Sequence, residues 1–152
     1  MSQNIQRVDH VIYAVRPENQ KAYVEQMSKL CGINFHGPTE RPKTGLRTYI
    51  NWSAGINIVA AVSDAVPIGA QIASMVEQRG EGLIGIAFGV ADMMKARQHA
   101  QDLGYDISDL IQNDGTEPYA AETEIMLETV VGNIMNNMFL FAEVKLTPDA
   151  LK

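Results

Sequence analysis

The sequence predicts an α+β fold: two βαβββ modules whose strands form a curled mixed sheet around a shared cavity, with helices outside. Three observations predict it. An apolar, strand-like run occurs twice, as Val8-Asp9-His10-Val11-Ile12-Tyr13-Ala14-Val15 and as Leu83-Ile84-Gly85-Ile86-Ala87-Phe88-Gly89-Val90. Each run leads into a helical pattern that stops at a glycine, in Leu30-Cys31-Gly32 and in Leu103-Gly104. Three further strand-like segments follow each helix. One βαβββ unit cannot cover both faces of its own sheet, whereas two can pair. The modules span 1–64 and 83–152, with a linker helix over 65–82, as one structural unit.

The elements follow in order. Val8–Val15 is rich in β-branched residues and ends at Arg16-Pro17, the signature of a buried strand. Pro17 suits the start of a helix. Tyr23, Met27 and Leu30, at i, i+4, i+7, mark its buried face, and Gly32 its C-terminal cap. Ile33–His36 reads as a short strand, and 37–45 as a loop by its proline and glycine content. Leu46–Trp52 and Ile56–Val62 are strands joined through Ser53-Ala54-Gly55. Pro67 opens the linker helix, which turns Ile68, Ile72, Met75 and Val76 inward. In the second copy Asp92 is a helix N-cap, and Met93, Ala96, Ala100 and Leu103 form the buried stripe. Tyr105–Ile111 reads as a strand, Gln112–Ala121 as a polar loop, and Glu124–Val131 and Met138–Val144 as strands turning at Gly132-Asn133.

Composition narrows the function. The chain has 152 residues, 46% apolar and 20% charged, with net charge −6. No basic stripe exists to neutralise phosphates, which argues against nucleic acid and anionic membranes as partners. No apolar run reaches the ~18–20 residues that span a bilayer. Residues Met1–Arg7 lack the apolar stretch of a secretory signal, so none is expected. The single cysteine, Cys31, fits a reducing compartment, so a cytoplasmic location is expected.

With these motifs in order, the chain resembles the vicinal oxygen chelate superfamily, which includes glyoxalase I, bleomycin-resistance proteins, extradiol dioxygenases and methylmalonyl-CoA epimerase. The carriers are Val8–Val15, the Leu30-Cys31-Gly32 helix end, and Gly80-Glu81-Gly82 leading into Leu83–Phe88. The segment Ile56-Asn57-Ile58-Val59 through Pro67 is nearest in layout to the epimerase branch. The resemblance implies a homodimer. It also implies a divalent ion held by one residue from the first and last strand of each module. Those positions fall on His10, Asn57, Gly85 and a residue within Phe139-Leu140-Phe141-Ala142-Glu143. Gly85 has no side chain and Asn57 is neutral, while a hard divalent ion needs several oxygen or nitrogen ligands. No metal is therefore expected unless Glu128, Tyr49 or Tyr119 supplies a substitute ligand, and no other cofactor is implied.

His10 is the leading candidate, as a general acid or base on the cavity face. Reading the last strand with Leu140, Ala142 and Val144 against the helix sets Phe139, Phe141 and Glu143 toward the cavity. Glu143 is then a catalytic partner for His10, and Phe139 and Phe141 are substrate-binding walls. Asn57, between two isoleucines, needs a hydrogen-bond partner and is assigned to substrate binding. Arg47, Tyr49 and Asn51 share one strand face; Arg47 and Tyr49 are assigned to binding a polar ligand group. His36 reads as a loop residue and His99 as a helix-surface residue.

Two function classes emerge, both with a small-molecule partner. One is a metal-independent isomerase, epimerase, cyclase or lyase that moves a proton beside a carbonyl in a small apolar or aromatic compound. The alternative is a non-catalytic binding protein of the resistance type. A divalent-metal enzyme like the glyoxalases and dioxygenases stands third.

Overall fold

A computed structural model describes residues 5–151. The described chain holds three α-helices and eight strands, as the α+β reading anticipates. It divides into two compact units: Ile12–Ile84, and the chain up to Val11 together with the chain from Gly85. Among the described residues no helix is long and apolar enough to cross a membrane.

In unit Ile12–Ile84, the end of strand β1 (Ile5–Ala14) leads into α1 (Gln20–Cys31), then β2 (His36–Arg41), β3 (Leu46–Asn51), β4 (Ile56–Ala61) and α2 (Pro67–Arg79). Strands β2, β3 and β4 are successively antiparallel. Gly32 closes α1 in the left-handed conformation at φ 66°, which glycine adopts without strain.

The buried face of α1 is not the predicted stripe. Tyr23 is 40% and Leu30 84% exposed, while Gln20 and Val24 are buried. Gln20 can be buried because its amide is satisfied: Nε2 donates to the carbonyls of Arg47 at 2.8 Å and Ile58 at 3.0 Å, and Oε1 accepts from Arg47 Nε at 2.7 Å. Polar satisfaction rotates the helix away from the face that hydropathy alone selects. Val24 then joins Val15, Ile58 and Ala60 in a core that Tyr13, Met27 and Tyr49 flank.

The predicted loop at 37–45 is largely strand β2, with a register shift between His36 and Thr39. In that unit β2 pairs only with β3, and an unpaired strand edge tolerates a proline such as Pro38, which has no N–H to donate. His36 lies in this strand, opposite Ile50.

In the other unit, β5 (Gly82–Val90) runs parallel to β8 (Asn137–Leu146), which is antiparallel to β7 (Thr123–Ile134). Helix α3 (Met93–Asp102) packs Met93, Ala96 and Ala100 against Val90, Val131 and Phe141. Its N-cap is as predicted: Asp92 accepts from Lys95 N at 3.1 Å. Leu103, expected in the buried stripe, is 64% exposed, because the helix has ended by that residue.

The predicted strand Tyr105–Ile111 is only β6 (Ile111–Gln112). Ile107 and Leu110 pack against the α3 core, and the Ser108 carbonyl is taken by Arg97 at 2.8 Å. The β7–β8 turn falls at Met135-Asn136, both with positive φ, rather than at Gly132-Asn133. Gly132 instead takes up a register shift after Val130.

Candidate functional site

The candidate site lies in the unit that pairs the start of β1 with β5, β8, β7 and β6. His10, on β1, is 1% exposed. Its Nδ1 stands 2.8 Å from Asp9 Oδ1 and its Nε2 3.2 Å from Glu128 Oε1 on β7. Strands β1 and β7 are three places apart in this sheet, in the order β1–β5–β8–β7. In a flat sheet that separation is about 14 Å. Curvature and small residues between the strands let the side chains meet. Gly85, Ala87 and Gly89 stand opposite Met138, Leu140 and Ala142, and Ala142 stands opposite Glu128. Cross-strand partners share a face, so the face of Glu128 is floored by glycine, alanine, leucine and methionine.

Electrostatics defines the charge state. Burial of the His10 ring disfavours its cation. The hydrogen bond to Asp9 and the close approach of Glu128, with the charge of both carboxylates, outweigh that cost and push the His10 pKa up to about 9. At neutral pH the group is an imidazolium between two carboxylates, not a free base. Asp9 and Glu128 side chains are each 11% exposed, so the charges are shielded but reachable.

The other predicted site residues are placed elsewhere. Glu143 Oε2 accepts from Met93 N at 2.7 Å, where it satisfies a free amide at the start of α3. Phe139 stacks on Phe88 at 4.5 Å and meets Phe141 edge-on at 5.7 Å, within the core under α3. The predicted face assignment of β8 is therefore reversed: Leu140 and Ala142 share the Glu128 face, and Phe139, Phe141 and Glu143 face the helix. The carboxylate that meets His10 is Glu128, which the sequence offered only as a substitute metal ligand. Its signal was present, a carboxylate between Leu127 and Thr129 in a strand-like run.

Arg47 and Tyr49 also need correction. Arg47 Nη2 donates to the Pro17 carbonyl at 2.6 Å and its Nε to Gln20. Tyr49 packs against the α1 core. Both side chains are engaged under α1 rather than turned toward a ligand, because their face of β3 is the one that α1 covers. Asn57, on β4, has an amide oxygen buried with no hydrogen-bond partner.

The donor set does not fit the ion that the resemblance implies. Gly85 offers no donor, and a Cβ built there would lie 3.0 Å from both Met138 Cβ and the Met138 carbonyl oxygen. Glu143 is turned to α3. Among the described residues no three His, Cys, Asp or Glu side chains are grouped to hold one ion.

No family's sequence model matches the chain, and no curated protein does. Solved structures do. A methylmalonyl-CoA epimerase from Streptomyces coelicolor, in complex with 2-nitronate-propionyl-CoA, aligns with TM-score 0.68 at 17% identity, over 91% of this chain and 94% of that one. The methylmalonyl-CoA epimerase from Mycobacterium tuberculosis aligns with TM-score 0.67 at 16% identity, over 94% and 91%. A hypothetical protein from Bacillus halodurans aligns with TM-score 0.63 at 18% identity, over 91% and 94%. At such identities the likeness concerns architecture: the chain carries the fold of the methylmalonyl-CoA epimerases, which are members of the vicinal oxygen chelate superfamily.

Proposed function

We propose that the protein is an isomerase-type enzyme, an epimerase or a related lyase or cyclase. It would move a proton at a carbon beside a carbonyl in a small apolar compound, without a metal. The observation that carries the reading is the His10–Glu128 contact on an otherwise small, apolar strand face. Glu128 takes the acidic C–H proton. The His10 imidazolium donates from Nε2 to the developing enolate oxygen, the role an ion fills elsewhere. Asp9 holds the ring oriented and charged through Nδ1. The fold likeness to epimerases solved in complex with acyl-CoA ligands supports a thioester or similar activated carbonyl as substrate. With Phe139 and Phe141 under α3, the lining favours an aliphatic body over an aromatic one.

The test is solvent exchange. A panel of α-substituted acyl thioesters and ketones in D2O, followed by NMR, is expected to show catalysed loss of the α-proton signal. Glu128→Gln should slow it by ~10²–10⁴-fold. Catalysed exchange at the wild-type rate in E128Q refutes the assignment of Glu128. Absence of exchange throughout the panel favours the second reading.

That second reading, a non-catalytic binding protein, has an observation of its own. Unit Ile12–Ile84 carries a recess of about 320 Å³ lined by Tyr13, Val15, Met27, Leu30, Ile58 and Glu81, almost wholly apolar. Under either reading a homodimer and a cytoplasmic location are proposed, the first tested by analytical ultracentrifugation and the second by fractionation.

A further inference from the structure

The apolar stripe that periodicity assigns to the core side of α1 has another place in the fold. Tyr23, Met27 and Leu30 all line the recess of about 320 Å³ in unit Ile12–Ile84. That volume lies within the range of small-molecule pockets, about 300–1,000 Å³. The buried side chains of Val15 and Ile58 belong to its lining, as does Tyr13. These three pack with Val24 of α1, so the recess is on the α1 side of the strands. Leu30 stands at its rim, 84% exposed.

The lining carries one charge, Glu81, which lies between the end of α2 and the start of β5. Its Oε2 accepts from Arg16 N at 2.8 Å, and both carboxylate oxygens stand 3.2 Å from the donor Asn19 Nδ2. The Tyr23 hydroxyl donates to Oε1 at 3.3 Å, which holds its ring beside the carboxylate. All three donors are neutral groups. Burial acts to raise the Glu81 pKa, but these hydrogen bonds and the charge of Arg16 hold it below the usual carboxylate range. The Arg16 guanidinium is itself 3.8 Å from Glu77, and among the described residues no lysine or arginine lines the recess. An anion entering here would meet like charge. A cation would meet a fixed carboxylate and two tyrosine rings, whose faces attract cations, beside apolar walls that strengthen the attraction.

We propose that this recess binds a small organic ammonium, with its aliphatic body against Val15, Met27 and Ile58 and its cationic head at Glu81 and the tyrosines. The proposal rests on the reading of the recess as a binding site and adds the class of ligand. It uses neither His10 nor Glu128, so it stands whether or not the protein is also catalytic.

The probes are hexylammonium and hexyltrimethylammonium, with 1-hexanol and hexanoate as neutral and anionic controls of the same chain length. They are titrated into the full-length, isotope-labelled protein while the methyl signals of Val15, Met27, Leu30 and Ile58 are followed. The ammonium probes are expected to shift these signals saturably, about tenfold more tightly than hexanol, with hexanoate weakest. Glu81→Gln keeps an acceptor for Arg16 N and removes the charge; it should abolish that preference and leave hexanol binding as it was. Leu30→Lys and Leu30→Glu are the second pair should that variant not fold. Both lose the same leucine at an exposed position, and the ammonium should bind the glutamate variant about threefold or more tighter than the lysine one. Equal binding of hexanol and the ammonium probes to the wild type overturns the proposal and leaves the recess as an apolar binding site. Failure of every probe to saturate overturns the proposal and the reading of the recess together. If no ammonium binds and Leu30→Lys turns a dimer into monomers in sedimentation, a second copy of the chain covers the recess, and the proposal is overturned.

Discussion

The His10 environment predicts how stability depends on pH. The pKa of His10 stands at about 9 in the folded protein, against about 6.5 in an unfolded chain. A folded-state pKa above the unfolded one means that the native protein binds the proton more tightly. The stabilisation is then complete below pH 6.5 and is lost as pH rises through about 9. That interval, at about 1.4 kcal/mol per pH unit, corresponds to about 3 kcal/mol. The ring is 1% exposed, so solvent screening does little to reduce it. The assay is urea denaturation at pH 6, 7.5 and 9.5, for the wild type and for His10→Gln. The variant lacks the titrating group and reports the background from lysines, tyrosines and Cys31. The difference between the two profiles should shrink by about 3 kcal/mol across the range, and NMR of the labelled ring should place its titration near pH 9. A difference that changes by less than about 1 kcal/mol, or a ring that titrates at or below 6.5, refutes the carboxylate-held imidazolium and with it the assigned roles of His10 and Glu128.

Three further outcomes are expected. Glu143→Ala removes the acceptor at Met93 N and should cost about 1 kcal/mol in denaturation, with α-proton exchange on an active substrate unchanged; exchange falling with the same variant would return Glu143 to the catalytic site. Gln20→Ala strips partners from two buried carbonyls and from Arg47, and a loss of about 2–4 kcal/mol is expected by urea denaturation; under about 0.5 kcal/mol would show that the network is not holding α1. Purified protein dialysed against Mn²⁺ or Co²⁺ should retain far less than one equivalent by elemental analysis, and its Tm should not respond to chelator; a stoichiometric ion would refute metal-free chemistry.

Much of the architecture was legible because local signals agreed with tertiary ones. The two apolar runs, Gly32, the Asp92 cap and Pro67 at the start of α2 each depend on a few neighbouring residues. The misreadings share a cause: the deciding contact lay far away in sequence. Gln20 has no place in the predicted stripe of α1, because the carbonyls that let it be buried are 27 and 38 residues distant. Segment 37–45 looked like a loop because the edge position that tolerates Pro38 is a property of the sheet and not of the segment. Leu30 and Leu103 looked buried because periodicity says nothing about where a helix loses its cover.

The carboxylate beside His10 shows the same limit most sharply. Glu128 and Glu143 each interrupt an apolar strand, and the two strands are adjacent partners. In the observed register Glu128 faces Ala142 and Glu143 faces Leu127. Successive residues alternate faces, so the two glutamates lie on opposite sides, and a one-residue slip would exchange them. Strand β8 is apolar on both faces, and its pattern alone could not say which side meets the helix. The choice is made by the two-residue turn at Met135-Asn136 and the shift at Val130–Gly132. These set Ala142 beneath Glu128 and leave Glu143 within reach of the first amide of α3. An isolated histidine in a strand was enough to find His10. Which carboxylate stands beside it is decided by register, and that moves the expected partner of His10 from Glu143 to Glu128.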